Sequence, residues 1–394
     1  MLKFALKNMG IKKVQIILIV ISIVISAGVG VLAFNVSSQV SDGIESNAGY
    51  YSLIVGPAGS KTQLAMNSMY FTDEPLGTIP YSIVNDLLAD NRVTSAIPYA
   101  MADNYNGARV IGTTSAFLKE KAIGSGDMFS DQEVCQAVIG SSIAKQNGLK
   151  VGDTIYTSHS ASENSKHEKG ILVVGILEET FSVYDRVVFT QIRTLWEMHD
   201  HGDGEEHEGM HATVCSILVN TKNPSYAMQL TNEYDGKVIE HDEEAFTLQA
   251  VEPMEVVRDV LSEADDTKYI VFVLCAIILI MNIIIISIIT LLNMYHSAKE
   301  ISLMRLIGIS MKKINLLYII QNSIIGLIST VVAFLVSRLC LVLMGDYVSS
   351  MGVVLNMSKV YLPEIFILVG IFLISVIPTV ICTFVMAKRD SLAE

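Results

Sequence analysis

Residues 294–313 read MYHSAKEISLMRLIGISMKK, and this stretch decides the fold. It carries Lys299, Arg305, Lys312 and Lys313 and lies between two apolar runs, 269–293 and 314–337, that hold no charged residue. About 20 apolar residues, rising 1.5 Å each, cross a hydrocarbon core of about 30 Å. A basic hinge between two such runs is a cytoplasmic connection between membrane spans, because Lys and Arg concentrate on the cytoplasmic side.

Two more runs complete the set, 14–34 and 362–386, both free of Lys and Arg. The sequence therefore predicts a membrane protein with four transmembrane helices. The start carries Lys3, Lys7, Lys12 and Lys13, and the tail carries Lys388 and Arg389. The expected topology has both termini cytoplasmic and places the chain in the plasma (inner) membrane as a multi-pass protein. The first run exceeds the apolar core of a signal peptide and no A-x-A site follows it, so it reads as an uncleaved anchor.

The predicted order is a cytoplasmic amphipathic segment (1–13), span one (14–34) and an extracytoplasmic domain (35–268). Span two (269–293), the cytoplasmic segment (294–313) and span three (314–337) follow. An outer loop (338–361), span four (362–386) and a cytoplasmic tail (387–394) close the chain. Charge supports the division. The chain has 394 residues, a net charge of −13 and a mean hydropathy of +0.47. Residues 35–268 hold 15 of the 27 basic and 35 of the 40 acidic residues, a net of −20, which leaves +7 for the rest. An acidic soluble domain is set into a basic, apolar frame, and a domain of that charge repels nucleic acid.

The large domain reads as mixed α and β. Branched, partly alternating residues predict strands at 169–177, 186–190 and 213–220, and helical patterns cover 82–90 and 251–263. Gly148–Asp153 and Asn106–Gly107 read as turns. The helix at 251–263 leads into span two. Cys135 and Cys215 fall in this domain, either as one disulfide or as two free thiols.

Within 294–313, Ser297 and Glu300 have the spacing of a capping box, Ile301, Met304 and Ile307 recur at helical spacing, and Gly308 suits a helix stop. Ser310 is placed to cap the next helix. Two readings stand on periodicity: an interfacial helix on lipid, or a docking helix for a cytoplasmic partner.

Catalytic patterns are missing. No G-x-S-x-G or H-E-x-x-H occurs, and Gly56–Thr62 (GPAGSKT) lacks the spacing of a phosphate loop. The chain is thus expected to be no enzyme. One feature stands apart: WEMHDHGDGEEHEGMH, residues 196–211, with His199, His201, His207 and His211 among six carboxylates. His159 and His167 flank a second polar stretch. Imidazoles with carboxylates suit Zn²⁺ or another transition metal, against the alternative of a solvated acidic loop. Inside the runs, Asn282, Gln321 and Asn322 are expected to hydrogen-bond across helices, and Pro378 to kink span four.

KEISLMRLIGISMKKI, residues 299–314, resembles a segment of the FtsX-like permeases, membrane subunits of the MacB/LolC/FtsX class (type VII) of ABC transporters. Glu300, Ile301, Leu303, Arg305, Gly308 and Ile314 carry the likeness. The start (LKFALKNMGIKKVQIILIVISIVI), residues 138–155 (VIGSSIAKQNGLKVGDTI) and residues 54–81 also resemble members of this class. Gln321 stands where the family often has Glu, and Leu306 and Ile309 replace small residues.

The resemblance implies a permease that pairs as a homodimer or heterodimer and binds two copies of a cytoplasmic ABC ATPase, which supplies the ATP and Mg²⁺. Lys299, Glu300, Ile301, Leu303, Met304, Arg305 and Gly308 would form the coupling helix against that ATPase. The extracytoplasmic domain would be MacB-like and two-lobed, moved by ATP-driven closure. The task implied is extrusion of a drug, peptide, lipoprotein or metal-linked substrate, with an extracytoplasmic adaptor or substrate-binding protein as a further partner. The alternative is control of an extracytoplasmic hydrolase or sensor without transport.

Overall fold

A computed structural model of the chain describes residues 9–10, 13–48, 50–158, 167–199, 212–242, 244–296, 303–350 and 354–390. The chain divides into two compact units. One comprises Met1–Gln39, Glu263–Gly345 and Leu355–Glu394, and the other Val40–Ser262 and Asp346–Val354.

The second unit is built on a mixed sheet. Its strands are β1 (Leu53–Pro57), β2 (Ile79–Pro80), β3 (Val93–Tyr105), β4 (Ala108–Thr113), β5 (Ile123–Gly126), β6 (Gln136–Ile139) and β7 (Thr154–Ile155). They continue as β8 (Ile171–Leu177), β9 (Val187–Gln191), β10 (Thr213–Val214), β11 (Ser216–Thr221), β12 (Val238–His241) and β13 (Glu244–Val251). The main sheet runs β12-β13-β1-β11-β3-β4-β9-β6-β8-β5, with β7 beside β8, while β10 and β2 pair separately.

Strand β3 joins the two halves of this sheet. Its first part pairs with β11 (Ile97 opposite Leu218) and its second with β4 (Asn104 opposite Arg109). A bulge between Met101 and Asp103 shifts the register there. The β3–β4 hairpin closes on Asn106 and Gly107, both at positive φ (48° and 89°), as a two-residue Asn-Gly turn requires. The expected run 213–220 is two strands rather than one, split at Cys215.

A long helix, α1 (Lys13–Ala48), precedes the strands in the chain; the short helices of the second unit are α2 (Lys61–Tyr70), α3 (Ser82–Ala89), α4 (Ser141–Asn147), α5 (Ile192–His199) and α6 (Pro224–Tyr234). The GPAGSKT stretch is the connection from β1 to α2, where Ser60 caps the helix by accepting from the Gln63 N–H. Asn223 caps α6 in the same way, accepting from the Tyr226 N–H at 3.0 Å. Asn223→Ala is expected to cost about 1 kcal/mol, read as a lower unfolding midpoint in urea.

Aromatic rings fill the centre of this unit. Phe189 is fully buried and its ring lies 5.7–5.8 Å from those of Phe71, Phe117 and Tyr184. Cys135 and Cys215 are free thiols. Burial pushes the Cys215 thiol up to about 11, so it is inert near neutral pH.

The first unit contains most of the long helices α1, α7 (Pro253–His296) and α8 (Met311–Ser350), and all of α9 (Leu362–Asp390). Among the described residues three helical stretches are long and apolar enough to cross a membrane: Ile16–Gly43, Lys313–Gly345 and Leu362–Ile381. The stretch expected as span two, 269–293, is helical within α7, and many of its side chains lie outside the described residues.

Two helices overrun their expected ends. α1 continues past residue 34 to Ala48 and α8 past 337 to Ser350. Neither overrun contains Pro, and single Gly residues at 43 and 345 do not stop a helix. Much of what reads as the outer loop 338–361 is therefore helix. Ile19, Ile23 and Ala27 of α1 pack with Ile325 and Ala333 of α8 and Ile371 of α9. Close approach is allowed at Gly326, where any Cβ would collide with the Ser375 side chain.

Candidate functional site

Of the segment expected to couple, Lys299, Glu300 and Ile301 lie outside the described residues. Residues 303–306 are helical and stop at Gly308, whose φ is +84°. The Gly308 N–H donates to the Arg305 carbonyl (2.9 Å) and the Ile309 N–H to the Met304 carbonyl (3.0 Å). These two bonds form a Schellman stop, which needs a left-handed residue and so favours glycine. The Ser310 carbonyl then accepts from the Lys313 and Ile314 N–H groups, opening α8.

The turn has an inside and an outside. Met304 and Ile309 pack against Ile314 and Tyr318. Leu303, Leu306 and Ile307 are exposed, Leu306 at 83%. An apolar knob is thus held out from the end of α8 by a rigid corner.

Among the polar residues in the spans, the Asn322 amide donates to Thr379 Oγ1, one residue after Pro378, linking α8 to α9. Gln321 is buried. Asn282 belongs to α7, and its side chain lies outside the described residues.

A second polar cluster in the same unit had no place in the sequence reading. Arg338 of α8 and Glu364 of α9 form an ion pair, with Glu364 fully buried. Asn35 of α1, also fully buried, donates to Glu364, and the Gln39 amide donates to Asn35 Oδ1 at 2.6 Å. Gln39 in turn donates to the Asn356 carbonyl and accepts from the Asn356 N–H. Arg338 also donates to the Lys359 carbonyl at 3.0 Å. Glu364 is the only carboxylate inside the four apolar runs and Arg338 the only basic residue between 314 and 358, so a signal was present.

Of the six His expected to ligate metal, His159, His201, His207 and His211 lie outside the described residues. His167 and His199 come together on a residue the sequence did not single out, Asp103. Asp103 lies at the register shift in β3, and its side chain is fully buried. His199 closes α5 and places Nε2 3.1 Å from Asp103 Oδ1. His167 Nε2 lies 3.2 Å from the same carboxylate, and the His167 backbone N–H donates to the Thr157 carbonyl at 2.9 Å. Thr157 Oγ1 donates to Asp103 Oδ2 at 2.8 Å. The two imidazole rings meet edge to face at 5.3 Å.

Burial alone would raise the Asp103 carboxyl. Hydrogen bonds from His199 and Thr157 and the charges of both imidazoles outweigh it and bring it to about 2. The group is therefore an anion at neutral pH. His199 also borders a cavity of about 300 Å³ lined by Met101, Trp196 and Cys215 among others.

Residues 15–233 match the family model of the MacB-like periplasmic core domain, and residues 270–390 that of the FtsX-like permease C-terminal domain. Among solved structures the chain is similar to the periplasmic region of MacB from Actinobacillus actinomycetemcomitans, with 13% identity over 53% of this chain and 91% of that one and a TM-score of 0.36. It is also similar to the extracellular domain of the noncanonic ABC-type transporter YknZ from Gram-positive bacteria, with 14% identity, 50% and 98% coverage and a TM-score of 0.31. No curated protein matches the chain. The first family model spans more than half of the sequence and the second spans the helices that follow, so the chain belongs to the MacB- and FtsX-like permeases, the membrane subunits of ABC transporters.

Proposed function

We propose that this chain relays the ATP-driven motion of a cytoplasmic ABC ATPase to its extracytoplasmic domain, through the turn at 303–308. The observation that carries the reading is the exposed knob of Leu303, Leu306 and Ile307, held by a Schellman stop and backed by Met304 and Ile309. A rigid apolar projection flanked by Arg305 suits a groove on a partner better than a lipid surface, which needs no fixed corner. Helix α7 is continuous from Pro253 to His296, across the expected junction at 268, and a continuous helix transmits force. In this reading 269–293 also crosses the membrane, as span two, both termini are cytoplasmic, the permease acts as a dimer on two ATPase copies, and the work is export.

Coexpression with the ABC ATPases of the same genome tests the reading. The permease is expected to bind one of them in nanodiscs and raise its ATP turnover. Met304→Pro costs a helix about 3 kcal/mol, so it should weaken the complex roughly a hundredfold. Exchanging the charges with Glu300→Arg and Arg305→Glu should also return turnover to that of the ATPase alone. Normal binding and turnover in both variants would overturn the assignment. The proteins that purify with the complex then separate export from control: an adaptor supports transport, whereas a cell-wall hydrolase or sensor kinase supports signalling.

A further inference from the structure

The extracytoplasmic unit brings Asp103, His167 and His199 to one point from three separate places: the bulge in β3, the chain before β8, and the end of α5. We propose that these three residues form a binding site for a divalent transition-metal ion of the Zn²⁺ class.

Geometry is the first support. Around a four-coordinate ion with bonds of about 2.0–2.1 Å, neighbouring ligand atoms lie about 3.3 Å apart. The carboxylate-to-imidazole separations here are 3.1 and 3.2 Å, and all three ligand atoms lie within 4.8 Å of one another. Only small shifts of the ligand atoms separate this cluster from a ligand set of two imidazoles and one carboxylate. That set leaves a position for water or an exogenous ligand.

Support around the ligands is the second. Asp103 is fully buried and fixed by the Thr157 hydroxyl; His167 is nearly buried, and its backbone N–H is anchored on the Thr157 carbonyl. A ligating carboxylate is commonly oriented by such a hydrogen bond, which sets its direction before the ion arrives. The His199 side chain is 30% exposed and borders the cavity, while its Nε2 is buried against Asp103. Third, the chain leading to His167 carries His159, and the chain leaving His199 carries His201, His207 and His211 among carboxylates.

The alternative is a structural triad, in which two imidazoles simply hydrogen-bond a buried carboxylate. Both explain the distances, and they differ in whether an ion binds. The test uses the full-length, tag-free chain in detergent micelles, titrated with Zn²⁺ against a chromophoric chelator and with Co²⁺ as a spectroscopic probe. One ion per chain is expected, with the intense visible bands of four-coordinate Co²⁺. Asp103→Asn and His167→Gln should each weaken binding at least about tenfold. Replacing His201, His207 and His211 together by Ala should change it less than about threefold.

A measurement on the unaltered chain guards against variants that fail to fold. Cu²⁺ with ascorbate and oxygen oxidises side chains next to the bound ion, and mass spectrometry should find the oxidation at His167 and His199. Absence of binding by the unaltered chain overturns the proposal, and so does binding lost only in the triple variant. Oxidation confined to residues 200–211 overturns it as well. None of these results depends on the ATPase, so this proposal and the coupling proposal fail separately.

Discussion

Arg338→Ala should lower the stability of the membrane unit by about 3–5 kcal/mol, the usual loss when one partner of a buried ion pair is removed. The reason is the position of Glu364. Its side chain is fully buried between helices, where it accepts from Arg338 and from Asn35. Without the guanidinium, a carboxylate remains in a medium that solvates it poorly, and the Lys359 carbonyl loses a donor. The measurement is the SDS fraction at half-unfolding in mixed micelles.

Glu364→Gln should cost less than Arg338→Ala, because the amide is neutral and still accepts from Asn35. The double variant Arg338→Met with Glu364→Leu should recover much of the loss, since matched apolar groups replace a buried pair at little cost. If Arg338→Ala unfolds like the unaltered chain, the pair is not buried as described. The cluster ties three helices together: α1 through Asn35 and Gln39, α8 through Arg338, and α9 through Glu364. A loss confined to stability marks it as a clamp.

Phe189→Ala is expected to destabilise the extracytoplasmic unit by about 3–5 kcal/mol. Phe189 lies on β9, between β4 and β6, and its ring is enclosed by Phe71, Phe117 and Tyr184. Truncation removes the transfer free energy of a whole ring. It also leaves a cavity that neighbouring rings, themselves fixed by packing, fill only in part. Phe189→Leu keeps most of the volume and should cost less than half as much. Urea unfolding followed by Trp196 fluorescence reports both, because Trp196 is the single Trp of the chain. Equal midpoints for Phe189→Ala and the unaltered chain would show that the ring carries no packing load.

How far the sequence reaches differs between elements. Strands β8 and β9 and helix α3 fall within a residue or two of their expected places, because each carries a period or composition that its local chain dictates. The Asn106–Gly107 hairpin and the Gly308 stop were legible for the same reason: both need a left-handed backbone, and only a few residue types adopt it readily. The split at Cys215 and the overruns of α1 and α8 were not, since they depend on which neighbour each segment meets.

The candidate sites follow the same rule. His167 and His199 were visible as residue types in a biased composition. Asp103 was one acidic residue among 35 in its domain, and only the fold brings it to face them. Arg338 and Glu364 stand 26 residues apart in sequence, one at the edge of an apolar run and one at the start of another. By itself the sequence determined the apolar helices, the division into an acidic domain and a basic frame, and the helix stop at Gly308, because charge, hydropathy and left-handed glycine are properties of the local chain. Only the tertiary structure decided the clamp, the packing around Phe189 and the Asp103–His167–His199 cluster, because each joins side chains from distant segments and exists only once the intervening chain has folded.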